Sequence, residues 1–390
     1  MKKAPFADAQ GTAFHAEPAI EEPLSFLPDS AVIYCEKNFG GMDGKTANGL
    51  VRFSQKYEIG AVIDSHFAGR DAGEILDGKT NGIPICWDLS EALRLQDNPP
   101  KFLIIGMAPL SGMLSAKDRA VMFQAMEQGM HLVNGLHEFL SDDESFVQKA
   151  LSCDVTILDI RKPKKPKDLR LFNGSIFDVA CPKIAVLGTD TAIGKRTTAT
   201  ILTQALQNLG FNAVLVGTGQ TSLIQGARYG VAIDAIPAQF AAGELEAEVV
   251  AAYENENPDI LIIEGQGALS HPAYSSSCFI IRGTCPDAII LQHAPKRKMR
   301  GDFPELAMPT VGSEIHLLET FSDAKVIGIT LNHDDMTDQD VDDVIEQYEE
   351  EFSLQTTDAL KKDSKDLVSM VLSAFPVLEE KLGERFGAHA

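Results

Sequence analysis

The chain has 390 residues, and at roughly 150 residues per domain two domains are the natural expectation. Hydrophobic residues make up 44% and charged residues 23%, enough apolar material for ordinary cores, which sets aside a disordered chain. The formal net charge of -22 opposes association with nucleic-acid phosphates or anionic membranes, so neither is an expected partner.

The N-terminal stretch MKKAPFADAQGTAFHAEPAIEEP has two lysines but no apolar run behind them, so no signal peptide is expected. No run of about 18 uninterrupted apolar residues occurs, so no transmembrane helix is predicted. The six cysteines form no CxxC pair, which argues against a zinc site or redox dithiol. They read as the reduced, small apolar residues of an intracellular protein, and the expected location is cytoplasmic.

Short β-branched runs at 31–35, 60–64, 83–87, 102–109 and 155–160 read as buried strands. Helical periodicity lies between several of them, clearest over 115–131 and again over 142–151, where Ser141 is a candidate N-cap. Strands alternating with helices predict a parallel sheet covered on both faces, so residues 1–165 are expected to form a Rossmann-like domain. The loop 40–49 follows a strand and contains Gly-Lys-Thr, but no upstream glycine stands at P-loop spacing. The loops 68–78 and 111–115 follow strands and can line a domain cleft. The stretch 161–182 is rich in Pro and Lys and lacks periodicity, and it reads as the crossing between domains, with the linker at 166–182.

The second half restarts with a strand at 183–188 and a helix at 194–209. Further strands are predicted at 212–217, 259–265, 287–293 and 325–332, and helices at 239–253, 338–352 and 365–382. This is a second α/β domain, 183–390. Ten acids and no Lys or Arg lie between Asp334 and Glu351, which reads as a solvated helix face with an acidic first turn suited to the helix dipole.

The junction KIAVLGTDTAIGKRTTAT carries the strongest chemical signal. An apolar strand runs into Gly188, five residues follow, and Gly194-Lys195 opens a helix. Glycines let such a loop turn around an anion, while its N–H groups, the helix N-terminus and the lysine supply positive potential. Gly188, Thr189, Asp190, Thr191, Gly194, Lys195, Arg196, Thr197 and Thr198 are the candidate phosphate-binding residues. The five-residue spacing resembles dethiobiotin synthetase and related ATP-dependent ligases. In the usual P-loop a Ser or Thr follows the lysine and holds Mg²⁺. Here Arg196 stands there, a second cation that can replace the charge of the metal, with Thr197 the nearest hydroxyl able to reach one. No protein-bound metal is expected.

Glu264 ends the strand of DILIIEGQGALSHPAY, where α/β proteins bind ligands, and it can hold a metal, hold a water or act as a base. The same segment resembles the EGAGG stretch of those ligases. His271 follows closely, as a base or as a structural hydrogen-bonder. The glycine-rich turn after 216 offers Gln220 and, further on, Asp234 as substrate contacts. The segment LQHAPKRKMRGDFP puts His293, Arg297 and Arg300 into a local basic cluster suited to a carboxylate or phosphate ligand, and Arg282 is a further cation in this half.

Six stretches together resemble one family: GLHEFLSDD, ILDIRKP, GTDTAIGKRTT, GTGQT, EGQGALSHPAY and LQHAPKR. It is a bacterial family long labelled a domain of unknown function, with a Rossmann-like N-terminal and a P-loop C-terminal domain, and the likeness runs from about residue 30. Members of named activity resemble D-glutamate N-acetyltransferase, which moves acetyl from acetyl-CoA to the amine of D-glutamate. The resemblance implies acetyl-CoA as co-substrate and a small amino acid as partner. Chemistry then requires a base, for which Glu264 or His271 is available. It requires oxyanion donors, from loop N–H groups or His293, and cations for the carboxylates, from Arg282, Arg297 or Arg300. The alternatives are a Mg-ATP-dependent ligase or kinase, with ATP and Mg²⁺ as cofactors, and a non-catalytic nucleotide-binding regulator. A homo-oligomer is the expected assembly.

Overall fold

The computed structural model describes residues 28–109 and 111–387; the N-terminal stretch read above for a signal peptide lies outside them. The first domain alternates β1 (Asp29–Tyr34), α1 (Lys45–Arg52), β2 (Tyr57–Ile63), α2 (Ala72–Asp77), β3 (Ile85–Cys86), α3 (Leu89–Arg94), β4 (Phe102–Ile105), α4 (Ala116–Glu127), β5 (His131–Asn134), α5 (Glu144–Cys153) and β6 (Ile157–Asp159). Its six strands are parallel, in the order β3-β2-β1-β4-β5-β6. The order reverses beside β1. In such a sheet the helices diverge there and open a crevice at the strands' carboxyl ends.

The second domain runs β7 (Lys183–Gly188), α6 (Lys195–Asn208), β8 (Ala213–Gly217), α7 (Gln220–Gln225), β9 (Tyr229–Gly230), α8 (Ala238–Glu256), β10 (Ile260–Glu264), α9 (Ser276–Thr284) and β11 (Ala288–His293). It continues through β12 (Met299–Arg300), β13 (Phe303–Ala307), α10 (Val311–Phe321), β14 (Lys325–Leu331), α11 (Asp338–Phe352), β15 (Thr356–Thr357), α12 (Ser364–Ala374) and α13 (Pro376–Gly387). Seven strands form a parallel sheet, β15-β14-β11-β7-β10-β8-β9, and β12 with β13 makes an antiparallel hairpin beside it. Separate apolar clusters cover its two faces, one under α8 to α11 and one under α6 and α12, so β7, β10 and β11 are buried at every position. Among the described residues no helix is long and apolar enough to cross a membrane.

Three local expectations are corrected. The helix expected over 115–131 is α4, which ends at Glu127, and its last expected residue, His131, opens the strand β5; Ser115 caps α4 in a reciprocal capping box with Asp118. Asp143 rather than Ser141 caps α5, because its side chain accepts from Ser145 N and Phe146 N. The helix expected over 365–382 is broken into α12 and α13 at Pro376, which lacks the N–H that would continue the ladder.

The crossing between the sheets is pinned to α8 by two buried carboxylates. Glu246 accepts from the backbone N–H of Asn173 and Gly174, both at 2.7 Å, and of Ile176 at 3.3 Å. Glu244 accepts from Arg170 N at 2.6 Å and Lys164 Nζ at 3.0 Å. The domains also interlock directly through α7. Ile224 is fully buried within the core of the first domain, and Gln225 Nε2 donates to Gly49 O at 2.7 Å and to Phe53 O at 2.5 Å. Thr46 Oγ1 and Thr221 Oγ1 lie 2.8 Å apart across the same seam. These contacts turn the carboxyl edges of the two sheets toward one another.

Candidate functional site

A cleft of ≈ 490 Å³ lies between the two sheet edges. Its floor is the loop after β7, residues 191–194, and the first turn of α6. Two carboxyl-end loops of the second sheet, after β8 and after β10, form one wall. The opposite wall belongs to the first domain: Gly40–Met42 and Lys45 after β1, Ile75 and Leu76 of α2, and Arg161 after β6.

The loop has the backbone of an anion cradle. Gly194 takes φ +105°, which an L side chain rarely adopts, and opens α6 with the helix N-terminus at the cleft. Lys195 is buried and donates through Nζ to Asp190 O. Burial pushes its ammonium down to about 8, against the pull of Asp190 and Glu264. Arg196 lines the same floor. Its Nη2 donates to Lys45 O of the first domain at 3.4 Å, and its guanidinium rests on Gly49 of α1. Burial lowers its pKa, and Glu264 opposes that shift.

Glu264 closes the floor at the end of β10. It is buried, and its Oε2 accepts from Thr218 N at 2.8 Å and Gly219 N at 3.1 Å. Burial raises its carboxyl above the ordinary range, with Arg196 and these N–H donors pulling the other way. The next residue must be glycine, since a Cβ on Gly265 would sit 2.1 Å from Val186 O.

The residues singled out in the sequence separate into three groups. Thr191, Gly194, Lys195, Arg196, Thr197, Thr198, Gln220, Asp234 and Glu264 all line the cleft. A second group lies beneath the loop and does not line it. Asp190 Oδ2 accepts from Gly301 N at 2.8 Å and Arg297 Nη1 at 3.1 Å. Arg297 also donates to Thr191 O at 2.8 Å, and Arg300 donates to Ser270 Oγ at 3.0 Å and Thr189 O at 3.4 Å. The two arginines therefore spend their donors bracing the phosphate loop.

His271 belongs to the same underside, stacked on Tyr274 with ring centroids 4.5 Å apart. Its Nδ1 accepts from Ala273 N, which leaves the proton of the neutral ring on Nε2, 3.8 Å from Asp190 Oδ1. Burial first and Arg300 next lower its pKa. His293 sits 2.8 Å from Thr189 Oγ1, and burial pushes it down to about 4. Gly188 likewise lies at the end of β7 behind the cradle. The third group is Arg282 alone, exposed on α9 with its guanidinium 5.0 Å from the Phe321 ring.

Three cleft cations were missing from the sequence reading, Lys45, Arg161 and Arg52, the last of them paired with Asp77. Lys45 stands at the reversal point of the first sheet, and Arg161 follows the carboxyl end of β6. Position after a parallel strand was the available signal, but the sequence does not say which strand ends face the second domain.

Residues 65–163 match the N-terminal Rossmann-like domain of a family of unknown function, DUF1611, and residues 170–368 match its C-terminal P-loop domain. A crystal structure of a DUF1611 family protein from Anabaena variabilis is 32% identical, with a TM-score of 0.81 over 88% of this chain and 99% of that one. Two proteins named D-glutamate N-acetyltransferase, from Pseudoalteromonas sp and Tritonibacter scottomollicae, are each 29% identical over 69% of this chain and 80% of their own length. Matched in both halves, the chain belongs to the DUF1611 family, with its Rossmann-like N-terminal and P-loop C-terminal domains.

Proposed function

We propose that this protein is an N-acetyltransferase that moves acetyl from acetyl-CoA to the amine of D-glutamate. The observation that carries the reading is Arg196 on the cleft floor beside Lys195, at the position where a Mg²⁺-binding Ser or Thr usually follows the lysine. Phosphate charge here is met by protein cations and by the N-terminus of α6. Coenzyme A, a 3′-phosphorylated ADP derivative, carries the phosphates such a floor accommodates. The names of the two relatives at 29% identity supply the acceptor.

The chemistry needs few parts. Glu264 takes a proton from the acceptor ammonium, and desolvation moves its pKa toward the working range of a general base. The free amine attacks the thioester carbonyl, and N–H groups of the loops at the cleft stabilise the oxyanion. Collapse breaks the C–S bond and CoA leaves, taking up a proton as the thiol. The products are N-acetyl-D-glutamate and CoA, with no covalent enzyme intermediate.

Thiol release from acetyl-CoA, with and without D-glutamate, in EDTA and then in Mg²⁺, tests the reading. The expected result is D-glutamate-dependent CoA release that persists in EDTA. No release in either condition would overturn it, and ATP turnover in its place would favour the ligase chemistry of dethiobiotin synthetase.

A further inference from the structure

The cleft carries a second charged group apart from the phosphate floor. Arg161, Asp234 and Lys45 line it together, contributed by three separate segments and both domains. The Arg161 side chain is 5% exposed and is oriented from two sides. Its Nε donates to Gly135 O at 2.6 Å, and its Nη1 donates to Asp234 Oδ2. Its Nη2 makes no hydrogen bond to another described residue. Lys45 Nζ makes no hydrogen bond or ion pair among the described residues either. Acids outnumber Lys plus Arg 56 to 34 in this chain, so an unpaired lysine and an open guanidinium edge in one cleft require an explanation.

The charges supply one. Lys45 and Arg161 are positive and Asp234 is negative. His137 Nε2 lies 3.9 Å from Asp234 Oδ2, and burial first and Arg161 next lower its pKa, which disfavours a further positive charge there. Two positive groups and one negative group are the inverse of a dicarboxylic amino acid, which carries two carboxylates and one ammonium. Asp234 lines the same cleft as the proposed base and is linked to it through Thr218. Ile233 N donates to Thr218 O at 3.0 Å, and Thr218 N holds Glu264 at 2.8 Å.

We propose that Arg161, Asp234 and Lys45 form the acceptor subsite, with Arg161 receiving the α-carboxylate, Asp234 the ammonium and Lys45 the side-chain carboxylate. The proposal rests on the acetyl-transfer reading and deepens it. The first domain supplies most of the acceptor site, and the second supplies the donor site. An acceptor without a charged side chain leaves Lys45 unpaired, so selectivity for a dicarboxylate resides at that residue.

Lys45→Met is the first variant, since residue 45 is exposed to the cleft and its replacement does not disturb a core. The expected result is a KM for D-glutamate raised tenfold or more, a KM for acetyl-CoA within twofold of the parent, and a preference for D-glutamate over D-glutamine that falls toward unity. Arg161→Lys, which keeps the charge and loses the planar fork, is expected to weaken both acceptors alike. An unchanged KM for D-glutamate in Lys45→Met would overturn the subsite. So would a rise confined to acetyl-CoA, which would assign Lys45 to the donor phosphates. Calorimetry with D-glutamate, with and without CoA, separates this proposal from the reading beneath it. If the parent protein transfers no acetyl yet binds D-glutamate and Lys45→Met does not, the subsite stands and the transferase reading falls. If the parent protein transfers acetyl and the variant binds D-glutamate equally well, only the subsite falls.

Discussion

Replacing Gly49 by alanine sets two effects of opposite sign against each other. Gly49 lies inside α1, where glycine is less favourable than alanine by about 1 kcal/mol. A Cβ there would lie 2.5 Å from Arg196 Nη2 and 3.3 Å from Gln225 Nε2, whereas ordinary contact begins at 3.4 Å. The guanidinium is the flexible end of a side chain, so it gives way, retreating by about 1 Å. At an effective dielectric constant of about 20, a cation and an anion about 4 Å apart attract by about 4 kcal/mol, and at about 5 Å by about 3.3 kcal/mol. The difference, about 0.8 kcal/mol, is about fourfold in an equilibrium constant. Gly49→Ala is therefore expected to raise the KM for acetyl-CoA about fourfold and leave the KM for D-glutamate unchanged. Tm should be equal or higher. Steady-state thiol release and a thermal melt read both effects. A lowered Tm with an unchanged acetyl-CoA KM would refute the reasoning, because it would mean that the methyl group disturbs packing and that Arg196 does not meet the donor.

Glu264→Gln is expected to lower kcat by about 10²–10⁴-fold, the usual contribution of a general base, without loss of fold. Burial raises the Glu264 pKa, so its protonated form favours the folded state below the ordinary carboxyl range, and that stability is lost as pH rises through the folded-state value. A permanently neutral Gln escapes this loss. Tm of the variant should match or exceed the parent at pH 7, with the gap narrowing toward pH 4; a lower Tm at pH 7 would contradict the sign. Glu246→Ala removes the acceptor for three backbone N–H groups in the crossing segment, two of them at 2.7 Å. Partial exposure of that segment discounts the loss to about 3 kcal/mol. Earlier cleavage between residues 170 and 178 in limited proteolysis is expected, and an unchanged digestion pattern would remove the proposed staple.

Much of the architecture was legible because it is written in local chemistry. β7 and α11 fall on the expected spans, since an uninterrupted β-branched run and a capped amphipathic run each allow one regular structure. The anion loop was legible for the same reason. Gly188, Gly194 and Lys195 constrain the backbone and the charge within a single turn. The four-residue strand β5 was hidden, because periodicity over so short a run does not separate a strand from the end of α4.

The basic turn after β11 shows where local reading stops. Its Arg297 and Arg300 promised substrate contacts, yet both fold under the phosphate loop onto the Asp190 carboxylate and the carbonyls of residues 189, 191 and 192. His271 and His293 are drawn to the same underside, and Arg282 ends on an exposed helix face. Lys45 and Arg161, separated in sequence from the phosphate loop and from each other, reach the cleft because α7 anchors the second domain in the core of the first. The sequence by itself determined the elements, the two α/β domains and the anion loop, because turn geometry, hydrophobic period and helix capping act over a few residues. Which charged groups meet at the cleft was decided only by the tertiary structure, because strand order and domain docking bring together segments that lie far apart in the chain, Arg161 and Asp234 by 73 residues and Lys45 from both by more.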